Sequence, residues 1–511
     1  MAERGLETEI KLAGSPATLR RLAADSILSA AGPARRERLN ATYFDTPTLD
    51  LWKAGYALRI RREGRRYVQT VKGGAPATGG LHERLEIESQ VAGREIEREM
   101  FDDARLREVF TTAIVDALVP VYETRIVRVS RLLADATGAT IDVSLDQGKV
   151  CCADRSAAVC EVELELQTGS RAALFDLARD LLTLFPLRLE NRSKAERGIS
   201  LALGEPPVPR RARAVRLDRD SSVGEAYRTI IGSSLAHLQS NDAGVAPGAD
   251  PEYVHQMRVA LRRMRAAYGL FRPIIPVSVY EMHAGEMKWL ARSLGPAREW
   301  DVFVTETLPP VVAAFSASRV FEPLLPAFDH LRRQANERAR RAVQSRRYQQ
   351  LVLDLARWES GGAGSILLDA AGAAIAHRGI TDYAGSVLER RWRTAVRRGR
   401  HMDSLSVEAL HEFRIAAKKL RYAYDFFKEL FDADDLSPML SALTRVQDIT
   451  GAVNDAETVA RLLAHARRLT SIKEDAEAAG ILLGWSQGRA HALRTRLRKD
   501  WKSVRRLKHP G

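Results

Sequence analysis

The stretch GLETEIKL, residues 5–12, decides how the first part of this chain folds. Successive side chains of a β-strand point to opposite faces, so the charged residues of this stretch share one face and the apolar residues share the other. The charged face carries Glu7, Glu9 and Lys11. A single strand of this kind is ordinary in an antiparallel sheet whose outer face meets water. The interpretation therefore depends on whether other strands repeat the pattern.

Several further segments repeat this alternation of apolar and charged residues. They are YALRIRR (56–62), YVQTVKGG (67–74), HERLEIESQ (82–90), YETRIVRVS (122–130), TIDVSLDQG (140–148) and CEVELELQTG (160–169). A solvated face would mix in Ser, Thr, Gln and Asn, whereas these faces are almost purely ionic. The pattern therefore predicts a sheet closed into a barrel, with the apolar face outside under helices and the charged face lining a tunnel.

Such a lining has a clear chemical use. Carboxylates on facing strands bind hard divalent cations through oxygen. Arg and Lys beside them bind phosphate oxygens. Acids and bases in one cavity are therefore what a substrate made of a metal ion and a polyphosphate needs.

The segment ETEIKL matches the ExExK signature of the CYTH family, the triphosphate tunnel metalloenzymes. Other blocks of this family occur here in the family's order, over roughly the first 200 residues. They are YFDTPTLDLWKAGYALRIRRE, QTVKGG, LHERLEIE, LDQG, CEVELELQTG and SKAERG. The resemblance implies an α+β domain built on an eight-stranded antiparallel tunnel with flanking helices. It also implies hydrolysis of inorganic triphosphate to diphosphate and phosphate with Mg²⁺ or Mn²⁺.

The resemblance and the strand faces together assign candidate site residues. The expected metal ligands are Glu7, Glu9, Asp146, Glu161, Glu163 and Glu165. The expected phosphate-binding, catalytic cations are Lys11, Arg59, Arg61, Lys72, Arg128 and Lys194. Three points stay open: which acids of the EVELE run bind metal, whether Glu86 and Glu88 only orient cations, and whether Lys194 is an ordinary helix-end cation. Arg125 lies on the opposite strand face from Arg128, so we prefer Arg128.

The charge of the chain is unevenly distributed. Of its 511 residues, 79 are Lys or Arg and 65 are Asp or Glu. Residues 1–204 hold 30 of each sign, so the whole excess of +14 lies in residues 205–511. The Pro-rich, basic segment GEPPVPRRARAVRLD, residues 204–218, has the composition of a linker. We therefore expect a tunnel domain over 1–203, a linker over 204–218 and a second domain over 219–511.

The start of the chain and its apolar runs give an expectation about location. The stretch MAERGLETEI does not match the signal-peptide pattern, and no apolar run approaches the roughly 20 residues of a membrane helix. The cysteines, Cys151, Cys152 and Cys160, lack metal-binding spacing and are expected to be reduced. We therefore expect a cytoplasmic protein without a membrane partner, and we add association with polyphosphate granules as an expectation.

The second half changes to helical periodicity and contains an internal duplication. The segments EYVHQMRVALRRMRAAYGLF (252–271) and LHEFRIAAKKLRYAYDFFKEL (410–430) align at an offset of 156 residues. The same offset aligns LGPAREWDV with ITGAVNDAE, so that Gly295 falls on Gly451. We expect an all-α domain of two pseudo-symmetric helical bundles, over about 219–375 and 376–511.

Each repeat carries cations on one helix face. The first stripe is His255, Arg258, Arg262 and Arg265, and the second stripe is His411, Arg414, Lys418 and Arg421. Arg263 and Lys419 point elsewhere. A solvated face normally interleaves Glu at i,i+4, and these stripes do not. They therefore favour a polyanion site over a plain surface.

The helical half resembles the CHAD family, the conserved-histidine α-helical domain. The blocks VHQMRVALRRMRAAY, LARSLGPAREWDV, HEFRIAAKKLRYAYDFF and ITGAVNDAE carry this resemblance. It implies binding of long-chain inorganic polyphosphate by both stripes, with Arg298 as a further contact. The second repeat departs from the first, with Asn454 in place of Arg298 and Asp448 in place of Arg292. The anion contacts of the two repeats are therefore expected to differ.

Three alternatives remain open at this stage. The chain could be a polyphosphate-binding or targeting protein with weak or no catalysis. It could hydrolyse an organic triphosphate such as thiamine triphosphate or a nucleotide, because adenylyl cyclases and thiamine triphosphatases share the tunnel. Its basic half could bind nucleic acid, although aromatic residues interleaved with the cations are few. The oligomeric state is not predicted.

Overall fold

The computed structural model describes residues 6–29, 32–74, 79–135, 137–204, 207–246, 250–316, 319–360, 370–402, 406–469 and 476–507. The chain divides into two compact units. The first unit comprises Met1–Val208 and Gln344–Ala363, and the second comprises Pro209–Val343 and Gly364–Gly511.

The first unit is built on one antiparallel sheet. Its strands are β1 (Leu6–Ala13), β2 (Arg35–Asp45), β3 (Tyr56–Glu63), β4 (Arg66–Gly73), β5 (Leu81–Val91), β6 (Val119–Ala134), β7 (Thr140–Cys152), β8 (Arg155–Thr168) and β9 (Arg188–Leu189). They follow the order β5-β4-β3-β2-β6-β7-β8-β1-β9, and β5 also pairs with β1. That last pairing closes eight strands into a barrel, with β9 as a short addition to β1. The predicted eight-stranded antiparallel barrel is confirmed.

Short helices flank the barrel. They are α1 (Pro16–Ala23), α2 (Ser26–Ser29), α3 (Asp50–Lys53), α4 (Thr112–Asp116), α5 (Arg171–Leu184) and α6 (Lys194–Leu203). The outward side chains of β3, β4 and β5, among them Leu58, Val71 and Ile87, pack under residues 98–110, where Phe101 and Phe110 stack. Helix α5 packs against the outside of β1 and β8. Burial of this outer face contributes apolar stabilisation to the barrel.

The alternation predicts an interior that is ionic throughout, but part of the barrel interior is apolar. The inward positions of β2 and β6 become apolar away from the charged region, where Tyr43 stacks on Tyr122 with ring centroids 4.6 Å apart. Helix α6 fills this part of the interior, with Ile199 in the same core. Gly198 permits the contact, since a Cβ there would lie 2.1 Å from the Tyr122 ring. The charged region is therefore a pocket bounded on one side by an apolar core.

The second unit is helical in the part of the chain that the structure describes. The helices that follow the linker region are α7 (Val223–Val245), α8 (Glu252–Leu270), α9 (Val277–Val302), α10 (Leu308–Ala314), α11 (Leu325–Gln344), α12 (Arg346–Glu359), α13 (Ala370–Ala376), α14 (Ile380–Arg398), α15 (Val407–Phe427), α16 (Ala433–Leu469) and α17 (Ala476–Val504). A π-helical turn, Phe303–Thr307, separates α9 from α10.

Helix α12 packs within the first unit, although the sequence placed it in the helical domain of residues 219–511. It lies against α5 and β9. Its Gln349 side chain accepts a hydrogen bond of 2.9 Å from the backbone N–H of Leu189. Arg179 of α5 pairs with Asp354. The pattern of α12 is amphipathic like that of its neighbours, and periodicity does not tell which surface covers an apolar helix face.

The duplication is visible in the helix boundaries. Helices α7, α8 and α9 begin at residues 223, 252 and 277, and α14, α15 and α16 begin at 380, 407 and 433. Phe271 and its repeat equivalent Phe427 meet edge to face, with ring centroids 6.2 Å apart. Arg263 pairs with Asp425 at 2.5 Å and lies over the Phe426 ring. The two repeats therefore pack directly on each other through α8 and α15.

Two further observations bear on the sequence-based expectations. In the described part of the chain, the helices are too short or too polar to cross a membrane. The three cysteines, Cys151, Cys152 and Cys160, are free thiols.

Candidate functional site

Strand pairing places the charged residues of β1 inside the barrel. Glu7 lies opposite Arg84, and Glu9 lies opposite His82, in the β1–β5 ladder. Lys11 lies opposite Glu163 in the β1–β8 ladder. Directly opposed residues of an antiparallel pair share a face. The alternation of the opening stretch thus becomes one inward row of charge, with Glu9 and Lys11 almost fully buried.

An acid cluster lies deepest in this charged region. Its members are Asp146, Glu161 and Glu163, whose carboxylate oxygens lie within 4.8 Å of one another. All three are buried. Desolvation opposes burial of three carboxylates, and neighbouring cations offset it: Lys194 and Arg128 hold the pKa of Asp146 below its usual value. The sequence had left Glu161, Glu163 and Glu165 unranked, and the structure brings only the first two into this cluster.

Lys194 is the hub of the acid cluster. Its Nζ lies 2.7 Å from Asp146, 2.6 Å from Glu161 and 2.8 Å from Glu163. It is the first residue of α6, which begins after a capping box between Ser193 and Glu196. That cap fixes the start of the helix and so the direction of the lysine. An ordinary helix-end cation would be solvated, whereas Lys194 is buried.

Arg128 and Lys11 complete the surroundings of the acid cluster. Arg128 donates two hydrogen bonds of 2.7 Å to Asp146 and a further one to Glu163. Lys11 donates to Glu163 at 2.5 Å and lies 2.9 Å from Glu9. Burial, offset in part by Lys11, raises the pKa of Glu9 to about 7. Glu9 is therefore a buried carboxyl that lacks enough positive charge to hold it ionised.

The opposite end of the charged region is more exposed. Lys72 contacts Glu7 at 2.6 Å and Glu86 at 3.0 Å. Burial alone would raise the pKa of Glu7, but Lys72 lowers it to about 2. Arg59 lies 3.8 Å from Glu86.

Arg61 and Glu165 belong to the same end. Arg61 lies 3.6 Å from Glu88 and pairs with Glu63. Glu165 lies opposite Glu9 in the β1–β8 ladder, and burial together with Glu7 raises its pKa. Glu86 contacts Lys72 and Arg59, and Glu88 contacts Arg61. These contacts are in keeping with a role of both acids in orienting the cations.

The structure also brings in residues that the sequence had not assigned. Arg197 of α6 contacts Glu161 at 2.6 Å and Glu190 at 3.1 Å. Its position three residues after Lys194, on the same helix face, was the available signal. Tyr43 accepts a hydrogen bond of 3.5 Å from Arg59. His82 and Arg84 of β5 also face inward, and strand alternation could have placed both.

In the second unit the two stripes lie on α8 and α15. Arg262, Arg265 and His411 are exposed, whereas the other five members are partly buried. Arg258 donates to the Ala291 carbonyl at 3.2 Å, and Arg414 donates to Asn454 at 3.0 Å. Arg298 instead contacts Glu306 at 3.2 Å. The substitution of Asn454 for Arg298 thus changes what the second repeat offers beside its stripe.

The charges of one stripe act on the side chains of the other. Burial, then Arg414 and Arg262, lower the pKa of Lys418 to about 7. Arg262 belongs to the first stripe, so its charge reaches across to the second. Within the described residues, no carboxylate lies within ion-pair distance of any stripe side chain. Asp455 opposes the repulsion, and burial raises its own pKa.

The first unit is thus a barrel lined by paired acids and cations, and the second unit is a duplicated, basic helical region. Family comparison agrees with this division. The CYTH domain model matches residues 5–199, and the CHAD domain model matches residues 229–464. The chain therefore consists of a CYTH domain followed by a CHAD domain.

Two relatives illustrate the similarity. An inorganic triphosphatase of Haemophilus influenzae is 32% identical over 165 residues, which cover 32% of this chain and 46% of the relative. The chain thus matches about half of that relative's length. The crystal structure of the CHAD domain from the plant Ricinus communis is 29% identical, with a TM-score of 0.52, and covers 60% of this chain and 99% of that one.

Proposed function

We propose that the barrel hydrolyses inorganic triphosphate to diphosphate and phosphate. The observation that carries the proposal is the acid cluster of Asp146, Glu161 and Glu163, held among buried cations in a closed barrel. Acids and bases in one buried site match a substrate that joins phosphate oxygens to a divalent cation. The similarity to the Haemophilus influenzae inorganic triphosphatase supports the choice of substrate.

The donor set fits a divalent metal ion. Asp146, Glu161 and Glu163 supply hard oxygen ligands, and their carboxylate oxygens lie within 4.8 Å of one another. Glu9, whose pKa is raised to about 7 by burial, would be stabilised as an anion by added positive charge. Mg²⁺ or Mn²⁺ bound here would supply Lewis-acid polarisation of phosphate oxygens. Glu7, Glu9 and Glu165 are the further candidate ligands.

The cations of the barrel would bind the phosphate oxygens of the substrate. Lys11, Arg128 and Lys194 surround the acid cluster and would hold oxygens of the phosphoryl group that is transferred. Lys72, Arg59 and Arg61 lie at the other end of the charged row and would hold the rest of the triphosphate. Fixed cations stabilise the charge that develops on the transferred group and on the leaving diphosphate. Each of these cations is already paired, so substrate must exchange with the carboxylates.

We further propose that the two stripes of the CHAD domain bind long-chain inorganic polyphosphate. The support is a row of cations with no carboxylate at ion-pair distance among the described residues, and a lysine, Lys418, whose pKa is lowered to about 7 by burial and then by neighbouring stripe cations. A polyanion removes this repulsion and releases its own counterions on binding. Arg298 is a candidate additional contact in the first repeat. Association with polyphosphate granules would follow from this binding.

A substrate panel tests the proposed activity. Purified full-length chain is incubated with inorganic triphosphate, ATP, thiamine triphosphate or long-chain polyphosphate, with Mg²⁺, Mn²⁺ or EDTA, and released phosphate is counted. We expect metal-dependent release that is fastest with inorganic triphosphate. Faster release from an organic triphosphate would favour that alternative. No release from any substrate, together with polyphosphate binding, would favour the binding-only alternative and contradict the proposed hydrolysis.

A further inference from the structure

Arg84 is an inward-facing cation of the barrel that is not among the candidate site residues assigned from the sequence. It lies opposite Glu7 in the β1–β5 ladder, while its neighbour Leu85 lies opposite Leu6 and packs on the outer core. In the β4–β5 ladder, Lys72 lies opposite Glu86, two residues further along β5. Arg84 therefore shares the inward face with Glu86 and lies beside the Glu7–Lys72 pair. Its side chain is partly exposed.

Arg84 differs from the other inward cations in its partner. Among the described residues, each of the buried or half-buried others contacts at least one carboxylate: Lys11, Arg59, Arg61, Lys72, Arg128, Lys194 and Arg197. In the same part of the chain, no carboxylate lies within ion-pair distance of Arg84. Its guanidinium instead donates a hydrogen bond to Nδ1 of His82. The positive charge of Arg84 is thus not neutralised by its partner.

His82 is built to hold that guanidinium. Its side chain is fully buried, and its Nε2 lies 3.3 Å from the backbone oxygen of Glu190. A guanidinium always donates, so Nδ1 must accept, and Nε2 then carries the proton that it donates to Glu190. The imidazole is therefore neutral. Burial and the charge of Lys11, which lower the pKa of His82, act in the same direction.

The backbone around His82 is anchored to β1. Glu190 donates its N–H to the Lys11 carbonyl at 2.9 Å, and Lys11 donates its N–H to the Gly80 carbonyl at 3.0 Å. The imidazole therefore holds Arg84 in fixed register with β1. A cation fixed by a neutral group keeps its attraction for an anion and loses little side-chain entropy on binding.

We propose that Arg84 is a further phosphate-binding residue, positioned by His82, that contacts the outer phosphate of triphosphate. The proposal rests on the proposed function of the barrel and deepens it. Arg84 lies beside Glu7 and Lys72, at the more exposed end of the charged row, away from the acid cluster. It therefore acts on substrate binding more than on the chemical step.

The test uses the full-length chain and steady-state hydrolysis of inorganic triphosphate. Arg84→Gln is expected to raise KM about tenfold or more, as for loss of a hydrogen bond to a charged group, while kcat changes little. Arg84→Lys should recover part of the affinity. Arg125→Gln is the control, because Arg125 is exposed and pairs with Glu123 outside the barrel. A KM within about twofold of wild type for Arg84→Gln would overturn the proposal.

Two variants of His82 separate positioning from folding. His82→Ala should raise KM, by less than Arg84→Gln does. His82→Gln should restore it, because the amide oxygen can accept from Arg84 and the amide nitrogen can donate to Glu190. Equal KM values for His82→Ala and wild type would overturn the positioning role. If His82→Ala fails to fold, a KM in His82→Gln as high as in Arg84→Gln would overturn it instead.

Failure of the proposed function can be told apart from failure of this inference. If the wild-type chain releases no phosphate from triphosphate, the proposed activity is wrong. The Arg84 variants are then compared by calorimetric titration with inorganic triphosphate. Binding about tenfold weaker in Arg84→Gln supports the phosphate contact, and an unchanged Kd overturns it.

Discussion

The barrel interior and the helical stripes contain similar cations in opposite surroundings. In the barrel, Lys194 is shared by three carboxylates, and its pKa is raised well above the usual value despite burial. In the stripes, burial, followed by the charges of Arg414 and Arg262, lowers the pKa of Lys418 to about 7. The same side-chain type is therefore stabilised as a cation in one region and destabilised in the other.

This difference indicates two kinds of anion binding. Paired cations in the barrel are preorganised, and an incoming anion must match their geometry to replace the carboxylates. Such a site selects a short ligand of defined shape. Cations without carboxylate partners repel one another, so any polyanion that spans them relieves the repulsion. The binding of such a polyanion weakens as the salt concentration rises. We therefore assign chemistry to the barrel and length-tolerant binding to the stripes.

The largest expected effect comes from Glu9, the buried carboxyl of the barrel whose pKa is raised. Glu9→Gln keeps size and hydrogen bonding but removes a candidate metal-ligating charge. We expect phosphate release from triphosphate to fall by about 100-fold or more. Glu83→Gln is the matched control, because Glu83 lies on β5 facing outward and pairs with Arg171. Full activity of Glu9→Gln would contradict the assignment of the inward face to catalysis.

The next effect concerns the stripes. Arg262→Glu combined with Lys418→Glu reverses one charge on each facing helix. We expect long-chain polyphosphate to bind about 30-fold more weakly at low salt, and the difference should narrow as salt rises. Labelled polyphosphate titrated at two salt concentrations gives the comparison. Arg333→Glu is the control, an exposed arginine on α11 paired with Asp329. Equal loss in the control would mean that only diffuse positive charge matters.

Arg263 is unsuitable as that control, although it points off the stripe. It is buried against Asp425 and Phe426, so reversing its charge would break a buried pair between the repeats. The helical wheel separates stripe from non-stripe positions within one helix. It contains no information about what a neighbouring helix places opposite, and that neighbour decides whether a cation is free or structural.

The barrel could be predicted from sequence for a physical reason. Period-2 alternation fixes the face of each side chain, and closing the sheet encloses the charged face while helices cover the apolar face outside. Glu7, Glu9 and Lys11 were therefore placed inward at once. The apolar part of the interior was missed, because Leu39, Ala41 and Tyr43 lie on a strand that the charge pattern had not selected.

Other features could be recognised only from the three-dimensional structure. Helix α12 belongs to the first unit through contacts such as Gln349 to Leu189, which lie 160 residues apart in sequence. The role of Lys194 could be suspected from resemblance, but its three carboxylate contacts depend on where α6 enters the barrel. The orientation of Arg84 followed from alternation, whereas its neutral partner His82 could be recognised only from the contact itself.

A smaller expected effect is the difference between Glu7 and Glu9 in how their ionisation changes the stability of the fold. The pKa of Glu9 is raised to about 7, so its ionisation destabilises the fold as pH rises through about 7. The pKa of Glu7 is lowered to about 2, so its charge stabilises the fold above the usual carboxyl range, and this is lost only as pH falls toward 2. In EDTA at pH 8, Glu9→Gln should therefore melt at the same or a higher temperature than wild type.

Glu7→Gln should do the reverse at that pH. It leaves the half-buried Lys72 with fewer anionic contacts. The free energy of unfolding should therefore fall by about 1–3 kcal/mol, and the melting temperature by a few degrees. Thermal melts of both variants at pH 5 and pH 8 give the readout. Identical shifts for the two variants at pH 8 would contradict the opposite electrostatic environments assigned to them.

The smallest expected effect tests helix α12 as part of the first unit. Gln349→Ala leaves the Leu189 N–H without its acceptor, at a cost of about 1–2 kcal/mol of unfolding free energy. Gln350→Ala is the control, because its hydrogen bond of 3.2 Å to Thr183 is exposed. Denaturant unfolding followed in both variants should show the larger loss in Gln349→Ala. Equal midpoints would argue against a structural role for this contact.

The division of labour between the barrel and the stripes is tested most directly by one measurement on the stripe variant. Triphosphate hydrolysis is measured in the Arg262→Glu/Lys418→Glu chain under conditions where its polyphosphate binding is lost. We predict that kcat and KM for triphosphate stay within about twofold of wild type, because the barrel carries its own cations and acids. A loss of hydrolysis that parallels the loss of polyphosphate binding would contradict it, and would place the stripes in the catalytic site.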